Sequence, residues 1–268
     1  MEVASESIPQ EWRDWKTAYQ VHTGCDNEPD VVISADPVPA AECYSERVLW
    51  RSLVRANVLD GDLELPGAMG RFQKKGGVLK GAFRVDRDDC EALASLILIG
   101  LDVYLDASGI VLHSSGVFRD GHVWLFSGPS GSGKSTIAST LAGDGEKFSE
   151  DATIVRFNNL GGVVAARTPF RDDRADVQVP QTAPVAGIVF IQQADKTDVM
   201  DMSKVDIVQN LYYQSRHFDR DVYANQRFLV FAHQIANKRL CCKMAFQRDA
   251  RFWVMLDGWR RTKLDVNK

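Results

Sequence analysis

The stretch GPSGSGKST, from Gly128 to Thr136, carries residue types that bind the phosphates of a nucleotide. It satisfies G-x-x-x-x-G-K-[ST], the pattern of a phosphate-binding loop. Its glycines let consecutive N–H groups turn inward around a phosphate, because they adopt backbone angles closed to residues with a Cβ atom. Lys134 supplies a positive charge for the β- and γ-phosphates, and the Ser135 hydroxyl can ligate Mg²⁺. The predicted nucleotide-binding residues are Gly128, Pro129, Ser130, Gly131, Ser132, Gly133, Lys134, Ser135 and Thr136.

The residues around this loop predict the elements that position it. His122–Ser127 is a short apolar run typical of a buried strand that enters the loop. Ser135–Ala142 is typical of a helix that leaves it, with Gly143 as a stop signal. The N-terminus of that helix adds unpaired N–H groups and a partial positive charge. The chain is therefore predicted to bind a nucleoside triphosphate or a similar polyphosphate.

The composition excludes several classes of protein. Of the 268 residues, 45% are hydrophobic and 25% charged, as in an ordinary globular protein. The net charge of −4 provides no overall positive field for nucleic acid or anionic lipid. The cysteine number of 5 is odd and no C-x-x-C spacing occurs, which argues against a disulfide framework and a zinc site. The N-terminus lacks the pattern of a signal peptide. We expect a cytoplasmic protein that binds neither nucleic acid nor a membrane.

The order of the predicted elements indicates an α/β protein with a mixed sheet. Residues 1–45 are interpreted as an extension packed on the core, 46–110 as an N-terminal sheet and helix, and 111–268 as the nucleotide-binding part with C-terminal helices. Val31–Ile33 could form a short strand, and Pro37 and Pro39 are expected to break the structure that follows it. Alternating residues between Val48 and Val85 predict an antiparallel sheet.

The rest of the chain shows the same alternation of strands and helices. Arg119–Gly121 is typical of a hairpin turn. Strands are predicted at Ile110–Leu112, Thr153–Phe157, Val163–Ala166, Ala186–Gln192 and Leu240–Phe246, and helices from Asp88 to about Tyr104 and at Ser203–Arg216, Val222–Lys238 and Arg251–Leu256.

Glu150 and Asp151 are the candidates for the acidic groups that phosphoryl transfer requires. Mg²⁺ needs a carboxylate near Ser135, and a hydroxyl acceptor needs a base. The two acids follow the loop helix and are expected at the start of the strand adjacent to the loop. Glu150 is assigned to the metal and Asp151 to the acceptor's proton, and both are predicted to be catalytic. The alternative is a solvated acidic pair.

His113 is a further catalytic candidate. It is predicted to stand at the end of a strand, in a turn of small residues, where the following hairpin brings it near the γ-phosphate. It could hydrogen-bond to the transferring phosphoryl group or stabilise its charge, although a lone histidine is more often structural. Arg167 and Arg171 could offset charge on the phosphate or pair with nearby acids. His217 is interpreted as a surface or helix-end residue.

Several of these motifs resemble one kinase family. The run LHSSGVFRDGHVWLFSGPSGSGKST, followed by SED, is similar to the HPr serine kinase/phosphorylase family and especially to its short HPr-kinase-like relatives. The resemblance covers about residues 48–256 and includes Thr168–Phe170. It implies a P-loop kinase core like that of ATP-dependent phosphoenolpyruvate carboxykinase. It also implies that His113, Glu150 and Asp151 act at the active site, with Glu150 in place of the usual aspartate.

The resemblance does not identify the acceptor. The second signature of the family, which is tied to HPr recognition, is not matched by Gln181–Gly187. The leading hypothesis is an ATP- and Mg²⁺-dependent kinase acting on a serine hydroxyl of a peptide or small protein. The alternatives are a small-molecule hydroxyl kinase and a nucleotide-sensing binding module without transfer. A homo-oligomer is compatible with the sequence.

Overall fold

The structure, a computed structural model, is mixed α/β. It describes residues 31–38, 62–65, 67–75, 78–86, 90–105, 108–168, 179–215, 222–247 and 251–265. The described residues fall into two compact units, one within Met1–Asp106 plus His217–Asn225 and the other within Ala107–Arg216 plus Gln226–Lys268. None of the described helices has the length and hydrophobicity needed to cross a membrane.

The first unit contains a four-stranded sheet and one helix. The strands are β1 (Val31–Val38), β2 (Asp62–Leu65), β3 (Ala68–Lys75) and β4 (Val78–Asp86), and the helix is α1 (Cys90–Leu105). The strand order is β1-β4-β3-β2. The predicted antiparallel pairing holds for β2, β3 and β4, whereas β1 pairs with β4 in parallel. Residues 48–61, where the same sheet was expected to begin, lie outside the described residues.

The prediction that Pro37 breaks the chain after a short strand is wrong, and Pro39 lies outside the described residues. β1 continues through Pro37, which lies opposite Val85 of β4. In the described sheet, β1 lies at the edge with β4 as its neighbour. Proline is tolerated in such an edge strand because the outer side of the strand makes no hydrogen bonds within the sheet, so a missing N–H group there costs no bond.

The second unit is built on a larger mixed sheet. Its elements, together with the helix α4 that begins in the first unit, are β5 (Gly109–Leu112), β6 (Ser114–Arg119), β7 (His122–Ser127), α2 (Lys134–Thr140), β8 (Glu146–Ser149), β9 (Thr153–Phe157), β10 (Val163–Arg167), β11 (Thr182–Gln193), β12 (Asp198–Asp201), α3 (Lys204–Gln214), α4 (Val222–Asn237), β13 (Cys241–Phe246) and α5 (Phe252–Asp265). The strand order is β5-β9-β10-β11-β7-β6-β8, and β13 pairs with both β11 and β12.

The long strand β11 joins the two parts of this sheet. Its first residues, Thr182–Pro184, pair antiparallel with β10. Its later residues pair in parallel with β7 on one side and β13 on the other. Gly187 sits where the register to β7 shifts, and a Cβ atom there would lie 2.7 Å from the ring of Trp124. The carboxyl ends of β7, β11 and β13 consequently meet at one edge, where ligands bind in open α/β sheets.

Alternating side chains of β11 bury two hydrophobic clusters, one on each face of the sheet. Phe190 belongs to the cluster with Leu211 of α3 and Phe231 of α4. Val189 belongs to the other cluster, with residues of α2 and α5 such as Phe252. Fully burying one such side chain contributes roughly 1.5–3 kcal/mol. The two clusters therefore hold the central strands, and the loop after β7, between helices.

Most local predictions for this unit are confirmed, and the differences are informative. Asp120 and Gly121 form the predicted hairpin turn with φ values of 52° and 74°, the left-handed backbone of a type I′ turn. The strand His122–Ser127 has the predicted bounds. Strands β8 and β12 were not predicted, and α5 extends well beyond the predicted Arg251–Leu256.

Candidate active site

The candidate phosphate loop and its flanking residues form the predicted strand, loop and helix. β7 ends at Ser127, and α2 begins at Lys134. The backbone of Gly128 passes so close to β11 that a Cβ atom would lie 2.7 Å from the carbonyl oxygen of Ile191. Gly133 has a φ of 103°, in the left-handed region that L side chains rarely adopt. These glycines are therefore required by the path of the loop.

Lys134 points back into the loop. It is buried, and its Nζ atom donates hydrogen bonds to the carbonyl oxygens of Gly128 at 2.8 Å and Pro129 at 3.0 Å. The hydroxyl of Ser132 is also buried and has no hydrogen-bond partner among the described residues. A buried hydroxyl without a partner is costly unless a ligand or water satisfies it. An ammonium group and an unsatisfied donor suit a ligand rich in acceptor oxygens, such as a phosphate chain.

The tip of the loop is held from the end of β11. The side-chain amide of Gln193 donates a 2.6 Å hydrogen bond to the carbonyl oxygen of Gly131. Sequence reasoning missed this residue, although it directly follows the predicted strand Ala186–Gln192. The contact fixes the loop to the neighbouring parallel strand.

His113 is a one-residue link between β5 and β6, and the predicted turn of small residues is wrong. Ser114, Ser115 and Gly116 belong to β6, because they pair with the end of β7. The main chain of His113 is held on both sides: its N–H donates to the carbonyl of Gln214 at 2.7 Å, and its carbonyl accepts from the Ser127 hydroxyl at 2.9 Å. His113 therefore lies beside the residue that immediately precedes the phosphate loop.

Asp151 lies in the short link of residues 150–152 between β8 and β9. The N–H group of Ala152 donates to the carbonyl of Glu150 at 2.8 Å, and the φ of Asp151 between them is 65°. This combination describes a γ-turn with a positive central φ, a rare and strained conformation. Strain of this kind costs of order 1–3 kcal/mol and concentrates at functional sites.

Strand pairing brings the two links together. β5 pairs with β9 through Leu112 and Thr153, and β6 pairs with β8 through Gly116 and Ser149. His113 and Asp151 connect these two pairs of strands, and His113 Nε2 lies 3.2 Å from Asp151 Oδ1. Both side chains are only partly covered, at 27% and 29% exposed. The pair combines a carboxylate that can accept a proton with an imidazole that can orient it.

Buried hydroxyl groups fasten the strands beneath this pair. The Ser114 hydroxyl donates to Thr153 Oγ1 at 3.0 Å, and Ser149 Oγ lies 2.6 Å from the same atom. These bonds join β6, β8 and β9 where the two links meet. Sequence reasoning gave these three residues no role.

Glu150 and Asp151 have different surroundings. The carboxylate of Glu150 forms an ion pair with the Nζ atom of Lys147, and its assignment to Mg²⁺ stays a prediction. Within the described residues, no group of three or more histidine, cysteine or acidic side chains could hold a metal ion. The two acids precede β9, as expected, but β9 is not adjacent to the loop strand, since β10 and β11 separate it from β7.

Of the two candidate arginines, the structure describes Arg167. It ends β10 opposite Thr153, and its Nη1 atom donates to the carbonyl of Val179 at 3.5 Å. Burial lowers the pKa of its guanidinium group. The structure thus places Arg167 next to the strand that follows Asp151. Arg171 and His217 lie outside the described residues.

A pocket of about 600 Å³ opens beside the loop. Gly128–Ser132 form one wall and Phe190–Gln193 at the end of β11 form another. Met200–Met202, two residues of α3 and Lys243 complete it. No sequence pattern predicted this pocket, because its walls come from segments far apart in the chain.

Neither the family models nor the curated proteins include a match to this chain. A functional assignment therefore depends on the geometry of the site itself.

Proposed function

We propose that the chain is an ATP- and Mg²⁺-dependent phosphotransferase that acts on a serine hydroxyl of a peptide or small protein. The observation that carries this proposal is the contact of His113 Nε2 with Asp151 Oδ1, at 3.2 Å, beside the strand end that leads into the phosphate loop. The same proposal includes a kinase core like that of phosphoenolpyruvate carboxykinase and of the HPr-kinase-like proteins. The strand, loop and helix around Lys134 support it.

The loop residues would bind the triphosphate. When bound, ATP supplies the phosphoryl group and Mg²⁺ offsets part of its negative charge. Lys134, held at the two loop carbonyls, would also donate to phosphate oxygens, and the Ser132 hydroxyl would gain the partner that it lacks. Ser135 is exposed at the start of α2 and would hold the metal, with Glu150 as the second proposed ligand.

Asp151 would act as the general base. It takes the proton of the serine hydroxyl while the serine oxygen bonds to the γ-phosphorus and the bond from that phosphorus to the β-phosphate oxygen breaks. His113 donates a hydrogen bond to Asp151 and so fixes the direction of the carboxylate. The partial exposure of both side chains leaves room for an acceptor to approach.

Transfer of a labelled γ-phosphate to a library of serine-containing peptides tests the proposal. Asp151→Asn should lower turnover by about 10²–10⁴-fold, while Asn still tolerates the left-handed backbone at this position. Asp120→Asn is the matched control, since Asp120 also has a positive φ but lies in an exposed hairpin turn. Unchanged turnover in Asp151→Asn would remove the proposed base. Transfer to small hydroxyl compounds alone, or ATP that stays intact, would favour one of the two alternatives.

A further inference from the structure

The pocket beside the phosphate loop has the size and position of a ligand site. Its volume of about 600 Å³ falls within the range of roughly 300–1,000 Å³ that is typical of small-molecule sites. It is continuous with the loop, because Gly128–Ser132 form one of its walls. A molecule whose phosphates occupy the loop would therefore extend directly into it.

The pocket does not include the His113–Asp151 pair, since neither residue is among the described residues that line it. The pair lies in the links between β5 and β6 and between β8 and β9, beside Ser127, whereas the pocket is formed by the loop after Ser127, the end of β11, and residues of β12, β13 and α3. A triphosphate whose γ-phosphorus faces Asp151 has its other end directed away from that residue. The pocket is where that other end would lie.

The walls of the pocket fit a nucleoside better than a further phosphate. Met200 and Met202 provide apolar surface, and methionine adapts its shape to a flat ring. Asp206 and Asn210 lie one helical turn apart on α3 and provide a carboxylate and an amide. Among the described residues of the lining, Lys243 is the one basic side chain and Asp201 and Asp206 are acidic, so this set carries no excess of positive charge.

The negative charge of Asp201 is already neutralised by groups that lie outside the pocket. Its carboxylate accepts hydrogen bonds from Trp259 Nε1 at 2.8 Å and from Lys263 Nζ at 2.6 Å, both on α5. Asp206 is oriented by Ser203, whose hydroxyl donates to Asp206 Oδ2 at 2.7 Å. The carboxylate of Asp206 is thus held in place at the start of α3, where ribose hydroxyl groups could donate to it.

We infer that this pocket binds the nucleoside part of the nucleoside triphosphate, an inference that rests on the proposed nucleotide occupancy of the loop. The base packs on the apolar wall of Met200 and Met202. The polar groups of the nucleoside hydrogen-bond with Asp206 and Asn210. The contact of Gln193 with Gly131 holds the loop against the pocket wall, so the nucleoside and phosphate sites keep a fixed spacing.

Equilibrium binding of ATP and of inorganic tripolyphosphate to the full chain, each with Mg²⁺, tests this inference. Tripolyphosphate occupies the loop without a nucleoside, so the wild-type chain should bind ATP at least about tenfold more tightly. Asp206→Asn and Asn210→Ala should each weaken ATP binding by about five- to twentyfold, the effect of losing one hydrogen bond to a ligand. Both variants should bind tripolyphosphate within about twofold of wild type. Gln209→Ala is the matched control, because Gln209 is exposed on the same helix and does not line the pocket.

The outcomes separate this inference from the proposed function. Equal affinity of the wild-type chain for ATP and tripolyphosphate overturns the nucleoside pocket but keeps the phosphate site. The nucleoside pocket is also overturned if Asp206→Asn and Asn210→Ala leave ATP affinity unchanged and instead raise the KM of a peptide acceptor. Failure of both ligands to bind the wild-type chain overturns the proposed function itself. Circular dichroism of the two variants confirms that α3 is intact.

Discussion

The hydroxyl of Thr168 donates a 2.6 Å hydrogen bond to the main-chain carbonyl of Ala152. Both residues are buried, at 5% and 1% exposed. Ala152 directly follows Asp151 and closes the γ-turn on which that aspartate sits. Thr168 is therefore the side chain that holds the strained turn of the proposed base.

Replacing Thr168 by valine should weaken both stability and transfer. The change keeps the shape of the side chain but leaves the Ala152 carbonyl without its partner, which costs about 1–3 kcal/mol. We expect the free energy of unfolding to fall by that amount in urea titrations and kcat to fall with little change in the KM for ATP. Thr262→Val is the control, since Thr262 makes a similar bond, to the carbonyl of Trp259, at an exposed position. Equal losses in the two variants would show that Thr168 has no special role.

Replacing His113 by phenylalanine should reduce turnover without unfolding the chain. The hydrogen bonds to Gln214 and Ser127 come from the main chain of His113 and are kept in the variant. Loss of the imidazole leaves Asp151 without its orienting contact, and we expect kcat to fall by about 10–10³-fold. The KM for ATP should stay within about threefold. His122→Phe is the control, because His122 contacts the hairpin turn at Asp120. A His113→Phe variant with wild-type kcat would contradict the proposed role.

An added methyl group at Gly128 should distort the phosphate loop. Its Cβ atom would lie 2.7 Å from the carbonyl oxygen of Ile191, so the loop and β11 must separate. Overpacking of this kind costs about 1–3 kcal/mol, and the affinity for tripolyphosphate should fall with it.

Gly258→Ala in α5 should instead raise the stability of the chain, because no atom lies within 4 Å of its added Cβ. Alanine favours the helix there by about 0.5–1 kcal/mol. Thermal unfolding and calorimetric binding measure both effects.

The adjacent thiols of Cys241 and Cys242 should make the stability of the chain fall at high pH. Both are buried in β13, and burial raises the pKa of Cys241 from 9.0 to about 12 and raises that of Cys242 as well. Above about pH 9 the unfolded chain loses these protons while the folded chain keeps them. The contribution of the two protonated thiols to the free energy of unfolding is thus complete below pH 9. It is lost as the pH rises towards 12.

Urea unfolding at pH 8 and pH 10 measures this effect. The wild-type chain should lose more stability between the two values than a Cys241→Ala/Cys242→Ala variant, which lacks both thiols. At pH 8, peptide mapping should find both thiols unmodified by a thiol reagent in the folded chain and modified in urea. Modification of the folded chain at the same rate as in urea would show that the two thiols are accessible.

The sequence predicted elements whose signals are local. The strand His122–Ser127, the glycine-rich loop and the turn at Asp120–Gly121 follow from short-range rules of alternation, glycine content and turn chemistry. The sequence also marked His113 and Asp151 as candidates, but their contact depends on which strands pair. Pairings such as Leu112 with Thr153 join residues far apart in the chain, and no local pattern encodes them.

The same limit explains the errors and omissions around the site. Glu150 and Asp151 look equivalent in the sequence, and only the fold shows that one pairs with Lys147 and the other with His113. Thr168 was noted only within a family-like motif, and the contacts of its hydroxyl could not be inferred from that motif.

Lys134 has consequences for how a ligand binds. Its ammonium group is seated among the loop carbonyls as part of the fold, so the rotational freedom of this long side chain is lost during folding. Binding therefore does not have to order the lysine again. Preorganisation of this kind reduces the entropic cost of association, so more of the attraction between the ammonium group and the proposed phosphate ligand would be expressed as affinity.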